Sequence, residues 1–443
     1  MTTVASGTDP GFRRYLAARV ISMAGTLITA VVLPVLVYRL TGSAAWTAAV
    51  VAAEALPHLL LAPFAAPIVA RRDVRNVLLT ADLASAALLV SIPLAWGFGG
   101  LSGWQVLPVA GVLQAVFVMR EAADAGAFPV PVDTTAGRGA TGLVELMVPP
   151  LAGLAVAIVA PAPLLILNAV SFLASALLVR AAVRTWFGRE KANPAQPTSL
   201  PRHPMRSGRQ FLRSNPGSRT WAFAGTLHAA AGGAYLAMLL PWADQHLGVP
   251  PSGDARLALL ISCWGLGAMI ACALYPALTR RAGPVRLARE GLLVALASGL
   301  GALASGHWLP AVVAGLLWGA AHTVASKAAM NAVETPGRAV ARLLWRGAGP
   351  LTGAALAAGV AMLGTPRAGL AVGIGVLALA ELTARRGDDP DRGPSSEYHG
   401  ILTAGRRRVA GPRGGRSARC ATLQKDLSRG TAAGSHPPEA GSR

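Results

Sequence analysis

The sequence predicts an all-α polytopic membrane protein, with twelve transmembrane helices arranged as two pseudo-symmetric six-helix bundles. Three observations predict it. Composition is the first: of 443 residues, 53% are hydrophobic and only 14% are charged, whereas a soluble domain carries about a quarter charged residues. Second, apolar runs of about 20 residues recur along the chain, each long enough to cross roughly 30 Å of hydrocarbon. Third, the Lys and Arg residues fall between those runs in an alternating pattern, and the alternating strands of a membrane barrel are absent.

Spans are expected near 15–38, 45–69, 76–96, 106–129, 141–160, 163–183, 220–243, 256–278, 286–305, 308–331, 340–363 and 367–384. Most connections are short, so successive helices should be antiparallel neighbours. The exception is the stretch 180–219, which carries nine basic residues against one Glu and five prolines. It is too polar to lie in lipid and too poor in apolar residues to build a core. A linker between two soluble domains is the other reading of such a segment, but the flanking runs are too apolar and too long for it. The expected organisation is therefore an N-terminal bundle (1–183), a central cytoplasmic loop (184–218), a C-terminal bundle (219–384) and a disordered basic tail (385–443).

With the N-terminus in the cytoplasm, the inside segments before the tail hold twenty-one basic residues. These are Arg13, Arg14, Arg71, Arg72, Arg75, Arg138, Arg280, Arg281, Arg286, Arg289, Arg338 and Arg342, together with the nine of the stretch 180–219. The outside loops hold three: Arg39, Arg256 and Arg367. One miscounted span would invert every later loop, so this asymmetry supports both the count and the orientation. The expected location is the plasma membrane, with both termini cytoplasmic.

The two halves repeat one another. Val132-Asp133-Thr134 and Val333-Glu334-Thr335 end the fourth and tenth spans. Gly137-Arg138 and Gly337-Arg338 follow them, and Arg71-Arg72 and Arg280-Arg281 follow the second and eighth spans. Pro150-Leu151-Ala152-Gly153 in the fifth span matches Pro350-Leu351-Thr352-Gly353 in the eleventh. Four matches in order, at nearly constant spacing, point to a duplicated six-helix unit.

Twelve spans as six plus six, parallel repeats and a long central loop together resemble the major facilitator superfamily. The stretches FRRYLAARVISMAGT and LPVLVYRLTGS at the first span, and LNAVSFLASALLV in the sixth, resemble its macrolide-efflux and enterobactin-exporter-like branch. The resemblance covers about residues 12–384. It implies gating contacts in the loop after the second span, here Arg71, Arg72 and Asp73, with Arg280 and Arg281 as the counterpart. The usual leading glycine and Asp-Arg pair of that loop are missing. Thr26 stands where this branch often has an acid, and Asn168 where relatives often have Asp. The resemblance also implies a functional Arg in the fourth span, for which Arg120 is the match. The pattern Gly349-Pro350-x-x-Gly353, with Pro150 and Gly153 in the fifth span, is similar to a helix-bending motif of the superfamily's antiporters.

Ionisable residues inside apolar helices are costly and tend to face a partner or a cavity. Arg120 and Asp124 lie four apart on one helix face, beside Glu121. Glu54 lies midway along the second span with His58 one turn later. A carboxyl there is costly to keep charged, as suits a group that takes up and releases a proton; a permanent pair with Arg19 or Arg120 is the alternative. Glu54, Arg120, Asp124 and Glu145 are the expected proton-coupling residues. Glu121, His228, Tyr235, Trp264, Trp318, His322 and Lys327 are the expected cavity residues, although packing is the more ordinary role for Tyr235, Trp264, Trp318 and His228. Arg346 lies toward the inner end of the eleventh span, whereas Asp82, Glu290 and Glu381 read as interfacial. Pro150, Gly153, Gly349, Pro350 and Gly353 are expected to permit bending and sliding.

No phosphate-binding Gly-rich loop, zinc motif or nucleophile–base pair is present, so an enzyme is not expected, and neither is a metal or cofactor. The net charge of +20 is spread over loops and tail rather than gathered in an aromatic-lined groove, which argues against nucleic acid. Cys263, Cys272 and Cys420 lack metal-ligand spacing and are expected to be free thiols. The expected protein is a monomeric secondary transporter, a proton-coupled exporter of a hydrophobic or amphipathic small molecule. Its partners are that substrate, protons and the lipid bilayer. An uncoupled facilitator or importer and a non-transporting receptor are the alternatives.

Overall fold

The computed structural model describes residues 10–127, 143–144, 147–148, 151–156, 158–183, 204–251 and 254–387. Every regular element among them is helical. The first half contributes α1 (Pro10–Thr41), α2 (Ala44–Val69), α3 (Val74–Gly97), α4 (Gly103–Ala127) and α5 (Pro161–Val183). The short α6 (Pro204–Ser214) precedes α7 (Pro216–Leu247), α8 (Ala255–Arg281), α9 (Pro284–Ala304) and α10 (Trp308–Ala332). Last come α11 (Thr335–Leu343), a π turn (Leu344–Ala348), α12 (Gly349–Leu363) and α13 (Pro366–Gly387). Ten of these helices are long and apolar enough to cross a membrane. The expected eleventh span is formed by α11, the π turn and α12 together. The expected fifth span is helical over 151–156, and its remainder, with Pro150 and Glu145, falls largely outside the described residues. Residues 184–203 and the tail from 388 lie outside them too.

Packing follows the repeat. In the first half α1 packs on α5, α2 on α4, and α3 on both α4 and α5. In the second half α7 packs on α13, α8 on α10, and α9 on both α10 and α13. Each pairing in the first set therefore has its counterpart six spans later. Between halves, α2 packs on α12, and Gly153 faces Ala258 and Ser262 of α8. Large apolar side chains such as Leu60, Phe64, Ile158, Leu177, Met362 and Leu363 stay exposed, an arrangement that lipid, unlike water, accommodates.

Small residues allow the helices to come close. A Cβ on Gly353 would collide with the backbone of Ala230, and one on Gly349 would come within 2.8 Å of Thr226 O, so α12 and α7 touch backbone to backbone. Gly353→Val is expected to cost about 1–3 kcal/mol or more by overpacking, read as lowered thermal stability in detergent. A Gly353→Ser protein as stable as the parent, combined with normal stability in Gly353→Val, would contradict this contact.

Local chemistry sets the helix ends. Asp73 caps α3 by accepting from Arg75 N at 3.2 Å, and Asp254 caps α8 by accepting from Arg256 N at 2.8 Å. The hydrogen-bonded Arg256 guanidinium also holds the Asp254 carboxyl below the usual carboxylate range. A depressed value means that this cap is complete at neutral pH and is lost only on acidification through that lowered value. Gly42, with φ +62°, makes the left-handed turn from α1 into α2. The π turn has its own cause. Pro350 has no N–H and its ring clashes with the carbonyl one turn back, at Arg346, which widens the helix just ahead of Gly349-Pro350.

Candidate functional site

Two polar clusters occupy the helical interior. The first ties together α1, α3, α4 and α5. Asp82 on α3 is 0% exposed and Arg120 on α4 is 7% exposed; the two form an ion pair. Ser175 on α5 donates to Asp82 Oδ2 at 2.8 Å and lies 3.5 Å from Arg120 Nη2. Arg120 Nε is 3.9 Å from Asp124 Oδ2. Asp124 also accepts from the Tyr15 hydroxyl at 2.6 Å and lies 3.8 Å from Arg19. Two carboxylates and two guanidiniums thus balance in one network, with Arg19 at its partly exposed edge. Nearby, Asn168 on α5 donates to Thr29 on α1, and its side chain fills the space left by Gly25.

The second cluster joins the halves. Arg346, in the π turn, donates to both carboxylate oxygens of Glu121 on α4, at 2.8 and 2.6 Å. Both partners are open to solvent, with side chains 57% and 55% exposed. His58 on α2 places Nε2 4.0 Å from Glu121 Oε2 and Nδ1 3.2 Å from Gln114 Nε2. Glu54 lies one turn along α2 from His58 and is half-buried; its carboxylate has no ion pair or side-chain hydrogen bond among the described residues. On the opposite side of the molecule, the halves meet through Tyr38, which donates to Asp244 Oδ2 at 2.8 Å. Arg39 adds a second cross-half bond there, donating from Nε to Pro251 O at 2.5 Å, and also donates to Val156 O within the first half at 2.9 Å.

An aromatic column runs through α7, α8 and α10. His228 stacks on His322 at 4.2 Å, His322 meets Trp264 at 5.0 Å, Trp264 stacks on Tyr235 at 4.6 Å, and Tyr235 meets Trp318 at 4.8 Å. Tyr235, Trp318 and His228 are buried, while Trp264 and His322, in the middle of the column, are half-buried and form its accessible part. Lys327 lies further along α10, 3.0 Å from Cys272 Sγ and 5.9 Å from the Tyr275 ring centroid. An apolar groove of about 660 Å³ between α9 and α10, lined by Val294, Leu309, Val313 and Leu317, carries no ionisable group and lies apart from all three features.

The expected site residues therefore fall into different places. Arg120 and Asp124 meet in the first network and Glu121 in the second. The alternative pairing of Arg120 with Glu54 does not form: Arg120 is held by Asp82 and Asp124. Asp73 is a helix cap, and Arg71, Arg72, Arg280 and Arg281 make no ion pair among the described residues. Gly349, Pro350 and Gly353 sit on α7, while Gly153 sits on α8. Pro150 and Glu145 lie outside the described residues. Asp82, expected at an interface, is fully buried. Its position eight residues into α3, in an otherwise apolar run, is the signal the sequence carries for this. Gln114 and Ser175, being neutral, give none.

No family model and no curated protein matches the sequence. Solved structures do match. A crystal structure of the nucleoside transporter NupG superposes with a TM-score of 0.67 at 11% identity, covering 85% of this chain and 99% of that one. A point mutant of NupG gives 0.65 at 12% identity, covering 85% and 100%. A bacterial homologue of the human lysosomal transporter Spinster, inward-facing and unoccupied, gives 0.64 at 14% identity, covering 88% and 100%. At such low identity the likeness speaks to architecture. The helical pairings, the repeat and these superpositions give this chain the fold of the major facilitator superfamily transporters.

Proposed function

We propose that this protein is a secondary transporter that moves a small molecule across the membrane by alternating access, with the two halves rocking about a central site. The observation that carries the reading is the Arg346–Glu121 pair. It is a solvent-open ion pair between halves, set in a π turn beside Pro350 and next to His58. Surface pairs contribute little to stability, about 0–1 kcal/mol. A pair in this position serves instead to favour one arrangement of the halves over another.

Proton-coupled export of a hydrophobic or amphipathic compound, as in the macrolide-efflux branch, is the finer reading. Glu54 is the proton carrier in it, because it is the acid of α2 and no cation among the described residues neutralises it. Trp264 and His322 offer the substrate a partly open aromatic surface, in keeping with the largely apolar lining of small-molecule sites. Both termini lie in the cytoplasm and the protein works as a monomer. Uptake or uncoupled passage rather than export is the competing reading, favoured by Thr26 standing where an acid is expected after Gly25.

Everted membrane vesicles incubated with a panel of amphipathic compounds in the external medium test the function. Accumulation that rises with an imposed pH gradient and collapses with a protonophore is expected; accumulation indifferent to both contradicts coupling. The pair has its own test. Glu121→Arg is expected to slow transport at least about tenfold while changing stability by less than about 1 kcal/mol. Adding Arg346→Glu should restore much of the rate; a double variant as slow as the single one would argue against the pair. Orientation is tested with cysteines at Ser102 and Gln210: an impermeant reagent outside intact cells should label the first only, and the reverse pattern would invert the topology.

A further inference from the structure

We propose that α6 is an acidic-phospholipid-binding element, in which an arginine stripe docks on lipid headgroups while the opposite face holds α11. The helix reads PMRSGRQFLRS and contains no acid. Arg206, Arg209 and Arg213 are spaced three and four apart, so they fall within an arc of about 60° on one face. All three are exposed, and none makes an ion pair or hydrogen bond among the described residues.

The other face of α6 is already occupied. Gly208 and Leu212 are buried. A Cβ on Gly208 would come within 2.8 Å of Pro336 O and 2.9 Å of Val340, and one on Gly337 within 2.8 Å of Leu212. The apolar side of α6 is thus taken up by α11, and it has no wedge left to insert into acyl chains. What it offers the membrane is charge.

Depth places that charge among headgroups. Only Asn215 separates α6 from α7. The apolar part of α7 begins near Trp221, and the intervening five or six residues rise about 8 Å. That distance carries α6 just past the hydrocarbon edge, into the interfacial layer. Arg219 on α7 and Arg342 on α11 are exposed in neighbouring elements, against the single exposed acid Glu334 at the start of α11. A basic surface at this depth matches phosphatidylglycerol or phosphatidylserine, and each guanidinium near the surface adds to the attraction. Because α11 runs straight into the π turn that carries Arg346, lipid bound at α6 would hold the base of the cross-half ion pair. The lipid contact itself does not depend on the proposed transport activity.

The test uses the full chain with Cys263, Cys272 and Cys420 replaced by Ser and a fluorophore at Gln210→Cys, which borders the stripe. The protein is reconstituted into phosphatidylcholine vesicles doped with equal mole fractions of headgroup-proximal spin-labelled phosphatidylglycerol or spin-labelled phosphatidylcholine. Labelled phosphatidylglycerol should quench at least about twofold more strongly, and the preference should fade as salt rises. The triple variant R206Q/R209Q/R213Q should lose the preference and R206K/R209K/R213K should keep it. Equal quenching by the two lipids, or a preference that survives in the Gln variant, overturns the proposal. Inorganic phosphate at matched ionic strength should leave the preference intact; if it abolishes the preference, the stripe is a site for free phosphate instead. A preference retained by the Gln variant but lost on deleting basic residues of 184–203 would assign the lipid to that segment.

Discussion

Asp82→Ala is expected to destabilise this protein by about 3–5 kcal/mol, the cost of leaving one member of a buried ion pair without its partner. The size follows from where Arg120 lies. It is 7% exposed, its nearest other carboxylate oxygen is 3.9 Å away on Asp124, and Asp124 is shared with Tyr15 and Arg19. Without Asp82 the guanidinium has no close anion, and Ser175 loses the acceptor it binds at 2.8 Å. Denaturation in mild detergent should show the loss directly. Pairing the change with Arg120→Met should recover a large share of it, because replacing both members of a buried pair by apolar groups is often close to neutral. A single variant that loses less than about 1 kcal/mol, or a double variant no better than the single, would mean that the pair does not hold α3 to α4.

Glu54→Gln is expected to produce the largest functional effect: loss of pH-gradient-driven transport, by about a hundredfold or more, in a protein that still folds and binds substrate. Substituting glutamine keeps the shape and the hydrogen-bonding capacity but removes the proton that a carboxyl can exchange. Because Glu54 has no partner among the described residues, its neutralisation should leave stability almost unchanged, in contrast to Asp82. Substrate exchange without a gradient should persist in Glu54→Gln, which separates a coupling defect from a folding defect. Normal gradient-driven export would pass the role to another acid, with Asp124 and Glu145 next in order.

The comparison of these two carboxylates shows what is legible in the sequence and what is not. Both sit in apolar helices with similar composition around them. Distinguishing them requires knowing which neighbour each side chain meets, and that depends on helix rotation, which a near-uniform apolar run does not encode. The face of α4 shows the same difficulty. Arg120 and Glu121 are adjacent in sequence yet belong to different networks, one buried within the first half and the other reaching the second. Membrane-spanning helices are legible because they rest on length and hydropathy, and the repeat because it rests on punctuation at helix ends. The eleventh span is evident as a hydrophobic run, but its π turn is not. Pro350 announces a bend there, and only the packing of Gly347 on Leu59 and of Gly349 on α7 shows how the freed turn is used. Asp73 resembles a member of a gating loop, but its geometry makes it a cap, a role that short polar residues before a helix commonly fill.

Rocking of the two halves, driven by a proton on Glu54, is the central claim. Pulsed electron-spin distance measurements test it most directly, with one label pair at Arg72 and Arg281, just after α2 and near the end of α8, and another at Ser102 and Ser305, at the opposite ends of the helices. In lipid vesicles, acidification should lengthen one distance while shortening the other in the parent protein, and Glu54→Gln should be locked in the acid-state distribution at every pH. Distances that stay fixed, that change together, or that respond to pH equally in Glu54→Gln would contradict it.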